Sequence, residues 1–469
     1  MALIVDTNQI AKCSRARRAR DTRSDGLFFT AVKTTGIYCR SICPANPPKE
    51  TNVEYHDSAI SAAESGFRPC LRCRPDSAPL SSAWQGTDTT VKRALALIHS
   101  GLEPEDSIES LSDRLGVTSR YLRQLFASKL GTSPQKYISY QRALLAKKLL
   151  HETSMSMTSV ALSSGFGSLS SFNRQIKSQL GLTPRQIRGS KPENHQDKSA
   201  INLKFSYRPP LDWKSMMAFL QARLINGIEW QTGVTYGRTI QTKGGAKGYF
   251  EVSHDETKPM LHLRLHLDRT ENLYPLILRV RELFDLDAPA EAIDERMHQV
   301  LGHRFKLTPG LRIPGVWSYF EAGIRGILGQ QVSVKQAHSL VQTLVSELGE
   351  SITGEANQGL KLFPTPEKVV NNELAFFRMP QARKDTIRRL AKHFIESENP
   401  ENIDDWVLLK GIGPWTVNYV KLRAAKDPDV WLAGDAGVKN ALKLLDDDFQ
   451  SDMASPWRSY LVFQLWHQL

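Results

Sequence analysis

The clearest pattern in the chain is a strict alternation. In "MLHLRLHLD" (260–268), Leu261, Leu263, Leu265 and Leu267 fall on one face and His262 and His266 on the other. Period two with one apolar face predicts a half-buried strand. The two histidines then belong to a solvated face. Gly244 and Gly245 mark a turn before it. After about residue 285 the period becomes helical, and "YFEAGIRGILGQQVSVKQAHSLVQTLVSELG" is a long amphipathic stretch. The C-terminal part therefore reads as an α+β lobe over 201–286 followed by an all-helical lobe over 287–469.

The middle of the chain repeats itself. "LFASKLGTSPQKYI" (125–138) is echoed by "QIKSQLGLTPRQIR" (175–188), so that Gly131 matches Gly181 and Pro134 matches Pro184. In the first copy Asp106 and Glu109 form a capping-box start. Leu111, Leu115 and Leu122 make an inner face, Gly116 marks a turn and Thr118 caps the next helix. In the second copy Gly165 or Gly167 marks the turn. Each copy predicts a helix-turn-helix, with the helical "PQKYISYQRALLAKKLLHET" between them. Two polar, Pro- and Ser-rich breaks, 75–90 and 189–200, bound this unit. The expected domains are 1–78, 88–188, a linker at 189–200, 201–286 and 287–469.

Composition narrows the class. The 469 residues carry a net charge of +12. Residues 1–200 hold 28 Lys and Arg against 17 Asp and Glu; the remainder holds 33 against 32. A basic front half and a neutral back half place polyanion binding in front. No run of 18 apolar residues occurs, and the N-terminal apolar run is too short for a secretory signal. The expectation is a cytoplasmic protein without a membrane partner.

Four of the five cysteines form two close pairs, Cys39/Cys43 in "TGIYCRSIC" and Cys70/Cys73 in "RPCLRCRPD". In a reducing compartment such pairs predict a tetrahedral zinc site, which closes a unit too small for a large core. Cys13 stands alone as an ordinary thiol. The metal has two readings. It is a structural staple, or its four thiolates, net −2 around a dication, keep one sulfur nucleophilic.

Resemblance bears on that choice. "FFTAVKTTGIYCRSICPANPP" with "GFRPCLRCRPD" resembles the amino-terminal domain of the Ada methylation-response proteins. The resemblance implies one zinc per chain held by Cys39, Cys43, Cys70 and Cys73. It also implies that Cys39 accepts a methyl group from a DNA methylphosphotriester. Ser41-Ile42 departs from the family's Pro-Ser without touching a ligand. Residues 88–188 resemble the AraC/Ada-type DNA-binding domain. Its recognition helices would lie near 118–129 and 168–179. The candidate DNA contacts are Arg120, Arg123, Gln124 and Lys129, then Ser170, Asn173, Arg174 and Lys177.

Residues 201–469 resemble the AlkA 3-methyladenine glycosylases. The matching segments are "YRPPLDWKSMMAFLQAR", "GLRIPGVWSYFEAGIRGILGQQVSV", "LLKGIGPWTVNYV" and "PWRSYLVFQLW". The glycines Gly411 and Gly413 suit a helix-hairpin-helix whose free N–H groups hold a phosphate. Asp435 is implied as the catalytic carboxylate, although by itself it reads as a helix cap. Trp415, Tyr419, Trp466 and Phe219 match positions around the base pocket. Gln330 and Gln331 stand where the family inserts a wedge into DNA. Lyase relatives carry a lysine where this chain has Pro414-Trp415, so a monofunctional glycosylase is expected. Residues 201–469 contain no cysteine, so no iron–sulfur cluster is expected.

The resulting fold class is multidomain: a small four-cysteine zinc α/β domain, an all-α tandem helix-turn-helix domain, an α+β AlkA N-terminal domain and an all-α helix-hairpin-helix domain. The expected function joins methyl sensing, transcriptional activation and alkylpurine excision. Expected partners are alkylated and promoter double-stranded DNA, with RNA polymerase a further candidate and the chain a monomer. The rival is a regulator with structural zinc and an idle glycosylase-like lobe.

Overall fold

The computed structural model describes residues 3–21, 24–73, 75, 89–99, 107–189, 200–302, 305–352, 359–443 and 449–468. Most of the two predicted breaks lies outside these residues. The chain forms two compact units: Met1–Arg208 with Asp255–Val280, and Pro209–His254 with Arg281–Leu469.

In the first unit, strands Phe29–Val32 and Ile37–Cys39 form an antiparallel hairpin in which Thr30 faces Cys39. Gly36, at φ +63°, closes its turn. Val53–His56 pairs on one side and Arg68–Pro69 runs parallel on the other, giving four strands. Phe29, Ala31, Tyr38, Ile60 and Ala62 form an apolar cluster with Tyr140 and Leu144 of the helix Pro134–Glu152. That helix joins the two predicted repeats, so the Cys-bearing segment and the tandem helical segment share a core.

Both helix-turn-helix motifs are present. Helices Ile108–Leu115 and Ser119–Leu130 are separated by Gly116 in the left-handed region, and the Thr118 side chain accepts from Tyr121 N at 3.2 Å. Leu111, Leu115 and Leu122 are buried with Phe126 and Tyr137. The first helix is capped by Ser107, which accepts from Ser110 N at 3.1 Å. Asp106, the expected start, lies outside the described residues. In the second copy, between Met157–Ser163 and Leu169–Leu180, Gly165 (φ +77°) makes the turn. Gly131 and Gly181 end equivalent helices, and Pro134 and Pro184 begin the next ones. The alternating segment is a strand, Met260–Leu267, paired antiparallel with Ile201–Ser206. Leu261, Leu263 and Leu265 are buried and His262 is 43% exposed beside Asp255.

The second unit holds a meander of Glu229–Thr232, Thr235–Gln241 and Lys247–Asp255, which no sequence pattern announced. Its helical core gathers Phe320, Ile324, Ile327, Leu390 and Trp406. Meander and helix Tyr319–Leu328 are tied by buried charges. Arg238 meets Glu229 at 3.2 Å and Glu321 at 2.8 Å, and Arg325 meets Glu229 at 3.0 Å and Glu321 at 2.8 Å.

Burial alone would raise the Glu229 carboxyl, but Arg325 and Arg238 outweigh it and hold it down at about 2. Its contribution to stability is therefore present above the ordinary carboxylate range and is lost as pH falls toward 2. Glu321→Ala leaves two arginines short of a buried partner. It should cost about 3–5 kcal/mol, read as a lower urea midpoint at unchanged slope.

Candidate functional sites

The two cysteine pairs converge because two neighbouring strands end together. Tyr38 lies opposite Pro69, and Cys70 N donates to Tyr38 O at 3.0 Å, so Cys39 and Cys70 leave the sheet side by side. Cys43 and Cys73 follow on the next turns, and all four Sγ atoms lie within 4.8 Å of one another. Tetrahedral Zn–S bonds near 2.3 Å put sulfurs about 3.8 Å apart, so the cluster is of the right size for zinc. Without a cation the four sulfurs cannot ionise together. Hydrogen bonds among them push Cys43 down to about 7 and Cys70 down, and Cys39 and Cys73 up. A dication removes that conflict by holding all four as thiolates.

The surroundings are asymmetric. Cys70 and Cys73 are buried, while Cys39 and Cys43 are partly exposed. Cys73 is fixed from behind: Arg40 N donates to its sulfur at 3.3 Å and the Arg40 guanidinium to its carbonyl at 3.1 Å. Arg40 in turn pairs with buried Asp25. Cys39, Cys43 and Cys70 line a cavity of about 650 Å³ edged by Arg17, Arg18, Arg20, Arg40, Arg68 and Arg72; Cys73 does not. A thiolate site in an arginine-edged cavity suits an electrophile carried on a phosphate backbone.

All eight candidate DNA contacts, Arg120, Arg123, Gln124, Lys129, Ser170, Asn173, Arg174 and Lys177, are exposed. Behind them Leu122, Leu125 and Phe126, and Phe172, Ile176 and Leu180, are buried. Arg123 reaches Glu109 at 3.1 Å. Tyr121 and Leu169, 47% and 41% exposed, stand in the first turns of the same helices. They were not singled out by the sequence pattern, although large apolar groups on an outer helix face are the signal that would have found them.

In the second unit Asp435 caps the helix Ala436–Leu442, its Oδ1 accepting from Val438 N at 2.9 Å and from Trp466 Nε1 at 2.8 Å. Gly437 allows this approach, because a Cβ there would lie 3.0 Å from the Trp466 ring. Trp466 is near-parallel to Phe219, with centroids 6.5 Å apart. Trp415 and Tyr419, one helical turn apart on Pro414–Arg423, stack at 5.4 Å and 17°. Gly434, next to Asp435, puts its Cβ direction 3.8 Å from Trp415. The carboxylate thus has an indole donor, and the residue before it lies against Trp415 of the aromatic stack.

Gly411 has φ +96°, and a Cβ on it would lie 2.1 Å from Thr386 Oγ1. The hairpin passes too close to the helix Gln381–Glu396, which carries Thr386, for any residue but glycine. Gln330 and Gln331 differ in their surroundings. The Gln330 amide is tied to Gly411 O and Thr416 Oγ1, while Gln331 is exposed at φ +56°.

Three family models match: the metal binding domain of Ada over residues 12–76, a helix-turn-helix domain over 111–190, and the AlkA N-terminal domain over 202–318. The "probable bifunctional transcriptional activator/DNA repair enzyme AlkA" of Mycobacterium tuberculosis is 32% identical over 98% of this chain and 96% of its own length. The chain belongs to the Ada–AlkA fusion family. Its two parts also match separately. "DNA-3-methyladenine glycosylase 2" of Escherichia coli is 29% identical over 56% of this chain and 95% of its own length. "Bifunctional transcriptional activator/DNA repair enzyme Ada" of Escherichia coli is 34% identical over 36% of this chain and 46% of its own length.

In this Ada–AlkA fusion two groups of side chains escaped the sequence reading. Arg223 and Arg423 lie 3.8 and 4.8 Å from the Phe219 ring centre. Burial and the neighbouring Arg423 push Arg223 down to about 10. With two guanidinium groups on its ring, Phe219 has little attraction left for a cationic base. Arg423 also lies 5.8 Å from the Tyr419 ring centre, whereas Trp415 has no such neighbour among the described residues. The second group is Lys147, fully buried, which donates to Cys70 O at 3.2 Å from the bridging helix. Neither group has a local spacing that reveals it.

Proposed function

We propose that the chain combines methyl sensing, DNA-binding regulation and base excision in alkylation repair. The observation that carries the excision half is the Asp435 carboxylate, held by Trp466 and Val438 N beside the Trp415–Tyr419 stack. An alkylated purine such as 3-methyladenine, extruded from the duplex, stacks on these rings, which attract its positive charge. The C1′–N bond breaks with its electron pair going to the base, which leaves neutral, and water adds to C1′ and releases one proton to solvent. Asp435 stabilises the charge on the sugar and orients the water. No lysine stands directly after Gly413, where this chain has Pro414-Trp415, so the reaction is monofunctional and forms no Schiff base; residues 201–469 have no cysteine for an iron–sulfur cluster. Gly411 and Gly413 present N–H groups to a phosphate, and Gln331 is the wedge.

In the other half, bound zinc keeps the cysteines as thiolates of high charge density. One ion is held per chain. The Cys39 sulfur attacks the methyl carbon of a DNA methylphosphotriester. The S–C bond forms, the C–O bond breaks, and the phosphate oxygen keeps the pair as an ordinary diester. The thioether has one negative charge fewer, so repulsion from DNA falls and promoter affinity rises. The transfer is stoichiometric. The eight exposed residues of the two recognition helices contact double-stranded promoter DNA. The protein is a cytoplasmic monomer that recruits RNA polymerase when methylated.

Incubating the intact chain with methylated duplex DNA should release free 3-methyladenine, detected chromatographically. Mass spectrometry should find one added methyl on the Cys39 peptide. No released base leaves a regulator with an idle lobe; no added methyl leaves the zinc purely structural.

A further inference from the structure

The loop that follows the helix Tyr319–Leu328 is clamped at both ends. On its far side Ser333 caps the next helix in a reciprocal box with Gln336. On its near side Gln330 donates twice, to Gly411 O at 3.1 Å and to Thr416 Oγ1 at 3.0 Å. Between them Gln331 is exposed with φ +56°, a conformation a non-glycine residue keeps only where its surroundings impose it. The two partners of Gln330 belong to different functional parts. Gly411 is in the phosphate-binding hairpin, and buried Thr416 sits in the first turn of the helix that carries Trp415 and Tyr419. Gly326, one turn before Gln330, brings the two helices so close that a Cβ on it would lie 3.1 Å from Thr416 Cγ2.

We infer that Gln330 is a positioning residue that couples capture of the DNA backbone at the hairpin to insertion of Gln331 into the base stack. This rests on the glycosylase reading above. A phosphate drawn onto the hairpin moves the Gly411 carbonyl, and through the Gln330 amide it carries the loop and Gln331 with it. Gln330 itself touches neither base nor phosphate.

The test uses the full chain and a duplex with 2-aminopurine beside the target base, whose fluorescence rises on unstacking. Wild type should brighten it. Gln330→Leu should bind the duplex within about threefold of wild type yet brighten it at most a third as much. Excision from a matched duplex should fall about thirtyfold. With the target opposite a mismatch, where extrusion costs less, the loss should shrink to about threefold. Equal brightening in both proteins, or equal losses on matched and mismatched DNA, overturns the coupling. If wild type brightens the probe but releases no base, the glycosylase reading fails and the brightening comparison still decides the coupling. Should Gln330→Leu melt well below wild type, Thr416→Val removes one of the two acceptors with shape retained and should show the same matched-to-mismatched asymmetry.

Discussion

Replacing Asp435 by asparagine should lower single-turnover release of 3-methyladenine from methylated duplex by roughly a thousandfold, while DNA affinity stays within about threefold. The substitution is nearly isosteric. An asparagine Oδ1 can still accept from Val438 N and from Trp466 Nε1, so the helix keeps its cap and the indole its partner. What disappears is the negative charge, and with it the stabilisation of positive charge on the sugar. Asp435→Ala removes the cap as well and should cost about 1 kcal/mol of stability in addition. A rate for Asp435→Asn within tenfold of wild type would reduce Asp435 to a helix cap, the reading its sequence position alone supports.

The features legible in the chain were those encoded by short spacing. The paired cysteines, the helical repeat with its glycine turns, the alternating leucines and the glycine-flanked hairpin each depend on residues a few positions apart. They appear where the pattern put them. What stayed hidden is held by long-range pairs. Arg238 meets Glu321 across 83 residues and Arg325 meets Glu229 across 96. Tyr38 meets Tyr140 across 102. No periodicity links such residues, because their meeting is set by tertiary packing. The same limit applied at the sites. Four cysteines could be grouped from spacing, but that Cys73 is walled off by Arg40 while Cys39 borders a basic cavity is set by the fold around them. The adjacent glutamines were indistinguishable as letters and became distinct once one of them was seen tied to the hairpin.

Exposure sets Cys39 apart from Cys73, and a substitution at each separates their roles. Cys39→Ala should abolish methyl uptake from methylphosphotriester DNA but leave zinc bound by the three remaining sulfurs. Its loss opens the partly exposed side of the cluster, where solvent can supply the fourth ligand. Cys73→Ala removes a sulfur that is buried, accepts Arg40 N and lies outside the cavity. Solvent cannot replace it, so zinc should be lost. Because metal binding is folding free energy in so small a sheet, the segment around it should unfold with it. Zinc content by elemental mass spectrometry and methylation by peptide mass spectrometry read the two outcomes independently. Cys43 and Cys70 border the same cavity, which makes the assignment of the acceptor vulnerable in a definite way. If the Cys39→Ala protein still gains a methyl group, on Cys43 or Cys70, then the site reacts through whichever sulfur the cavity exposes, and Cys39 is an ordinary ligand.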